Sequence, residues 1–104
     1  MADALVPERD FDSVVPNDKG KDKASIEVTL KSFKKTDIAK AFFTTDKVFR
    51  IEATVDTKVY SKLVPALKEE DIEMPPKIEK SKGHFKVKLK KKRDFSIQKT
   101  FFAT

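Results

Sequence analysis

The chain has 104 residues, 38% of them charged and 38% hydrophobic, with a formal net charge of +6. That length supports one modest core and not two, and nine Phe residues among the apolar set argue against a disordered chain. Cysteine is absent, which excludes disulfides, a thiolate nucleophile and any zinc site built on Cys.

Residues 1–23 read as a flexible N-terminal arm, interrupted by Pro7, Pro16 and Gly20 and carrying a solvated loop at residues 17–23. The apolar pieces Leu5-Val6, Phe11 and Val14-Val15 allow a short edge strand near residues 11–15 that completes a sheet. Residues 24–104 read as a single β-rich domain. Ile26, Val28 and Leu30 alternate with Glu27, Thr29 and Lys31, which predicts a half-buried strand. Thr36 suits an N-cap, and Ile38 and Phe42 stand four apart, so residues 36–43 read as two turns of helix.

Phe49, Ile51, Ala53 and Val55 alternate with polar partners and predict a second strand. Asp56 or Thr57 can cap a helix that sets Val59, Tyr60, Leu63, Val64 and Leu67 on one side, with Pro65 kinking or ending it. Pro75-Pro76 marks an extended connector. The last element reads as a hairpin: a strand over residues 84–90, a turn over residues 90–94, and a strand over residues 94–102. The fold class expected is α+β and β-rich, either a small antiparallel sheet or an OB-like, partly open barrel of four to five strands with one or two short helices. The element order is analogous to that of a five-stranded oligonucleotide-binding barrel, with the arm supplying strand one. Nothing in the sequence identifies a family.

Charge is distributed unevenly. Residues 1–23 hold four bases and six acids, residues 24–76 nine of each, and residues 77–104 ten bases and two acids. In the strand over residues 84–90, burial of Phe85, Val87 and Leu89 would aim Lys86, Lys88 and Lys90 outward together. Lys91, Lys92 and Arg93 extend the charge, with Lys82 before it and Lys99 after it. Such a basic ribbon attracts polyanions, and Tyr60, Phe95 and Phe101 are the aromatics available to stack on bases. The function expected is therefore binding of single-stranded DNA or RNA with low sequence specificity, by those eight cations and three rings. The rival is a protein-interaction module, an inhibitor or assembly factor, docking the acidic surface of a partner protein. A homodimer is expected if a terminal strand is left exposed.

No enzyme is expected. His84 is the sole histidine and the sequence reveals no partner for it, the acids at residues 69–73 lack the spacing of a calcium loop, and two glycines make no phosphate-cradling loop. No metal or cofactor is expected. Residues 1–7 lack the pattern of a signal peptide and no apolar run approaches the roughly 20 residues of a membrane span, so an intracellular, cytoplasmic protein is expected. The basic run at residues 88–93 would add nuclear import in a eukaryotic host, and Arg93-Asp94-Phe95-Ser96 fits a basophilic kinase.

Overall fold

Ala24, Ile26 and Val28 on one strand, and Phe85, Val87 and Leu89 on its neighbour, turn toward the same side, each 3% exposed or less. Facing them across the core stand Phe49, Ile51, Ala53 and Val55, equally buried. Three strands with strict apolar alternation thus fix two inner faces, and the remaining elements arrange themselves around that contact.

The computed structural model describes residues 9–102. In chain order the elements are β1 (Ser13–Asp18), β2 (Lys23–Thr29), β3 (Ile38–Phe43), β4 (Phe49–Val55), β5 (Lys58–Val64), β6 (Lys77–Ser81), β7 (His84–Lys90) and α1 (Ile97–Phe102), with one 3-10 turn at Glu69–Asp71. They form two antiparallel sheets, one ordered β1-β2-β7-β6 and the other β3-β4-β5. Among the described residues no ladder joins the two sheets, so the result is a sandwich and the closed or partly open OB-like barrel is not formed. The β-rich class holds, with one short α-helix.

Four segments depart from the sequence reading. Residues 36–43, read as helix, begin with a turn and continue as β3. Ala39, Ala41 and Phe43 face Ala53, Ile51 and Phe49 across the ladder, and the Phe43 ring meets Phe49 edge-to-face at 5.2 Å. The helix expected after Asp56 is β5, joined to β4 by a tight turn in which Asp56 takes φ +56°. Aspartate tolerates that left-handed conformation better than most residues. Residues 77–81, given no element in the sequence, are edge strand β6, and the hairpin turn falls at Lys82-Gly83, where Gly83 has φ +81°. Finally, residues 91–96 form a loop and α1 replaces the expected last strand, burying Ile97 and Phe101 on one face. Strand β1 lies within the segment read as an arm, pairing with β2 and tolerating Pro16 as an edge strand can. Leu5-Val6 lies outside the described residues.

Phe85 is the hub of the aromatic packing, with its ring 5.8 Å from Phe11 and 5.1 Å from Phe33. Replacing Phe85 by Ala should cost about 3–5 kcal/mol of unfolding free energy, read by urea denaturation. A loss below about 1 kcal/mol would contradict this packing.

Candidate functional site

The two outer faces of the sandwich differ in chemistry. On the four-stranded sheet, burial of Phe85, Val87 and Leu89 does aim Lys86, Lys88 and Lys90 outward on one strand. Their cross-strand neighbours are set by register: Lys86 lies between Glu27 and Glu79, Lys88 between Ser25 and Lys77, and Lys90 opposite Lys23. Lys88 Nζ is 2.6 Å from Glu79 and Lys86 Nζ is 3.7 Å from Glu27, so two of the three ammonium groups are neutralised within the sheet. The hydrogen bond from Lys88 overcomes desolvation and, with the charges of Lys88, Lys86 and Lys77, holds the Glu79 carboxyl below its ordinary range. Lys90 has no carboxylate within ion-pair distance among the described residues.

The other expected site residues are dispersed. Lys91 is buried. Its ammonium donates to Asp18 Oδ1 at 2.8 Å, to the Gly20 carbonyl at 2.9 Å and to the Phe95 carbonyl at 2.6 Å. Asp18 in turn accepts from the Ile97 N–H at 2.8 Å and the Ser96 hydroxyl at 3.2 Å. Burial pushes the Asp18 carboxyl up, but these donors and the Lys91 charge together outweigh it and hold it below the ordinary carboxylate range.

Arg93 Nε donates to the buried Asp71 carboxylate at 2.7 Å, and its guanidinium lies 5.0 Å from the Phe95 ring centroid. Lys82 is exposed in the β6–β7 turn, Lys92 in the loop after β7, and Lys99 on α1. The aromatics are packed. Tyr60 stacks on Phe11 at 6.2 Å, Phe95 lies beneath Lys91 and Arg93, and Phe101 is buried beside Phe102 with Lys62 5.7 Å above it. None of the three rings shares the outer face that carries Lys86, Lys88 and Lys90.

The second outer face, on β3-β4-β5, went unrecognised in the sequence. Its cross-strand rows are Ile38-Thr54-Val59, Lys40-Glu52-Ser61 and Phe42-Arg50-Leu63. Ile38 is 54% and Leu63 49% exposed, and Phe42 and Val59 are half-buried. An Arg50–Glu52 pair at 3.0 Å occupies the middle. The outward alternation of Val59, Ser61 and Leu63 was the available signal, hidden because the same residues also satisfy a helical spacing. On the outer edge of β5, the Arg9 N–H donates to the Val59 carbonyl at 2.9 Å and the Ser61 N–H to the Arg9 carbonyl at 3.0 Å. Among the described residues no helix is long and apolar enough to cross a membrane and no cluster of potential metal ligands occurs.

Removing the Lys91 ammonium strands Asp18 and two carbonyls, so Lys91→Met should lower stability by about 3 kcal/mol, measured by urea unfolding. Asp18 has a depressed folded pKa, so its contribution is complete above its unfolded value of about 3.9 and disappears as the pH falls through the lower folded value. Asp18→Asn should therefore be less stable than the parent at pH 7, with the gap closing as the pH falls below the unfolded value and through the lower folded one. A gap independent of pH would refute the carboxylate's role.

No protein family matches the sequence, and no curated protein does. Among solved structures, the fold is similar to that of Heat shock protein 16.0 from Schizosaccharomyces pombe, at a TM-score of 0.59 and 19% sequence identity, over 86% of this chain and 76% of that one. That likeness corrects the functional expectation. The sandwich is similar in fold to a heat shock protein and no closed oligonucleotide-binding barrel forms, so single-stranded DNA or RNA binding, nucleic acid as the partner, and docking to an acidic partner surface are withdrawn.

Proposed function

We propose that this chain is a protein-binding sandwich of the chaperone type, which holds apolar segments of partly unfolded polypeptides and associates with copies of itself. The observation that carries the reading is the outer face of β3-β4-β5, where Ile38 and Leu63 stand about half exposed at opposite corners, beside Phe42 and Val59. Isolated exposed apolar residues need no explanation, but four on one face of a single sheet offer a surface on which an unfolded segment can bury apolar area. The shared fold with a heat shock protein supports the same reading.

The polar middle row explains how the face stays in solution without a client. Lys40, Glu52 and Ser61 separate the other two rows, whose centres are Thr54 and Arg50 between apolar ends, and Arg50 pairs with Glu52. A bound segment would place apolar side chains against either row and backbone groups over the middle. Strand β3 is the edge of its sheet and offers a ladder to a second chain, with Lys40 on it discouraging indiscriminate pairing. On this reading the protein works by binding and performs no covalent chemistry.

The test is suppression of light scattering from heat-treated citrate synthase or reduced insulin at near-equimolar protein. The parent should suppress it, and the double variant Ile38→Ser, Leu63→Ser should lose most of that capacity. The two positions are exposed, so folding stability should change by only about 0.5 kcal/mol each. No suppression by the parent, or full suppression by the double variant, would overturn the proposal.

A further inference from the structure

A groove of about 580 Å³ lies on the outer face of the four-stranded sheet, where β2 and β7 meet the segment leading into β6. Its volume falls within the range of roughly 300–1,000 Å³ usual for small-molecule sites. Lys23 and Lys90 oppose each other directly across the β2–β7 ladder and both line the groove. Like charges so placed repel, and among the described residues neither has a carboxylate within ion-pair distance, unlike Lys86 and Lys88. Lys19 and Lys77 add charge from either side, and of the two carboxylates that also line the groove, Glu73 and Glu79, the second is paired with Lys88.

Two further features point to a ligand. Ser25, next but one to Lys23, lines the groove and is 3% exposed, yet its hydroxyl has no hydrogen-bond partner. An unsatisfied buried hydroxyl is uncommon and calls for an explanation. Met74, Pro75 and Pro76 also line the groove, and the backbone there is fixed beside β7 by the Glu73 N–H, which donates to the Lys90 carbonyl at 2.9 Å.

We propose that this groove binds a small organic phosphate, with its phosphates held by Lys23 and Lys90 and the Ser25 hydroxyl, and its apolar part against Met74-Pro75-Pro76. Phosphate fits better than carboxylate because the free cations are all lysines. Lysine serves phosphate as a point charge, whereas the planar fork that favours carboxylate belongs to arginine, and no arginine lines the groove. The bounded volume and the apolar wall select a compact ligand with a diphosphate next to a hydrocarbon group. Binding would remove the Lys23–Lys90 repulsion and give Ser25 an acceptor. This site lies on the opposite sheet from the client face, so the two can be tested apart.

The experiment is an amide NMR titration with geranyl diphosphate and, separately, with inorganic pyrophosphate. Geranyl diphosphate should shift the amides of Lys23, Ser25 and Lys90 and bind about tenfold tighter than pyrophosphate, a difference of ~1.4 kcal/mol. Ser25→Ala should weaken binding several-fold. Lys90→Glu should abolish it while raising the thermal midpoint of the ligand-free protein, because the Lys23 repulsion becomes attraction, and should leave aggregation suppression unchanged. Equal affinity for the two probes, unmoved amides at about 10 mM probe, or a Lys90→Glu protein that binds normally or is less stable than the parent would overturn the proposal.

Discussion

A single buried ammonium group sets how this chain ends. Lys91 follows directly on β7, and by alternation its side chain points to the core side of the sheet, where a lysine cannot remain unpaired. It is satisfied by a carboxylate at the end of β1 and two carbonyls, one from the β1–β2 turn and one from the loop after β7. The Lys91 N–H adds a bond to the Asp22 carbonyl at 2.8 Å. With those bonds formed, the backbone must turn away from the sheet at residues 91–96. Asp18 then holds the Ile97 N–H at the start of α1, and the helix lies along β1 with Gln98 Nε2 3.5 Å from the Pro16 carbonyl. One lysine thus decides that the chain closes a sandwich with a helix where a further strand was the alternative.

Three of the four departures from the sequence expectation share one physical origin. Spacing of four places two residues on one face of a helix, and it does the same on a strand, where every second residue shares a face. Ile38 and Phe42, and Val59 and Leu63, are such pairs, and in the structure both lie on the outer face of strands. Ile97 and Phe101 are such a pair too, and there the helix wins. Local pattern could not arbitrate. Cross-strand partners decided the first two cases, and the Lys91 network decided the third. Where alternation was uninterrupted, as in Ile26–Val28, Phe49–Val55 and Phe85–Leu89, strand and buried face were both legible.

The site was legible only in part, because charge counted along a sequence ignores what faces it in space. The lysines of β7 do form one outward array, as the burial of Phe85, Val87 and Leu89 required. The glutamates that neutralise Lys86 and Lys88 come from β2 and β6, 59 and 9 residues away in the chain, and Asp71 reaches Arg93 over 22. What remains unbalanced is the Lys23–Lys90 end, and Lys23 belonged to a segment with net negative charge. Likewise the apolar face of β3-β4-β5 was spent, in the reading, on the buried sides of two helices that do not form. The proposed client surface and the proposed phosphate groove lie on opposite sheets, with the core between them.

The closure of the fold depends most on the Lys91 ammonium being enclosed and triply bonded, and its side-chain nitrogen can be observed directly. In a ¹H–¹⁵N NMR spectrum recorded near neutral pH, the Lys91 Nζ protons should exchange slowly with water and give a resolved signal, while the exposed Lys82 and Lys92 give none. Exchange at Lys91 as rapid as at Lys82 would show an ammonium open to solvent. The C-terminal helix would then have lost its anchor, and this description of how the fold closes would be wrong.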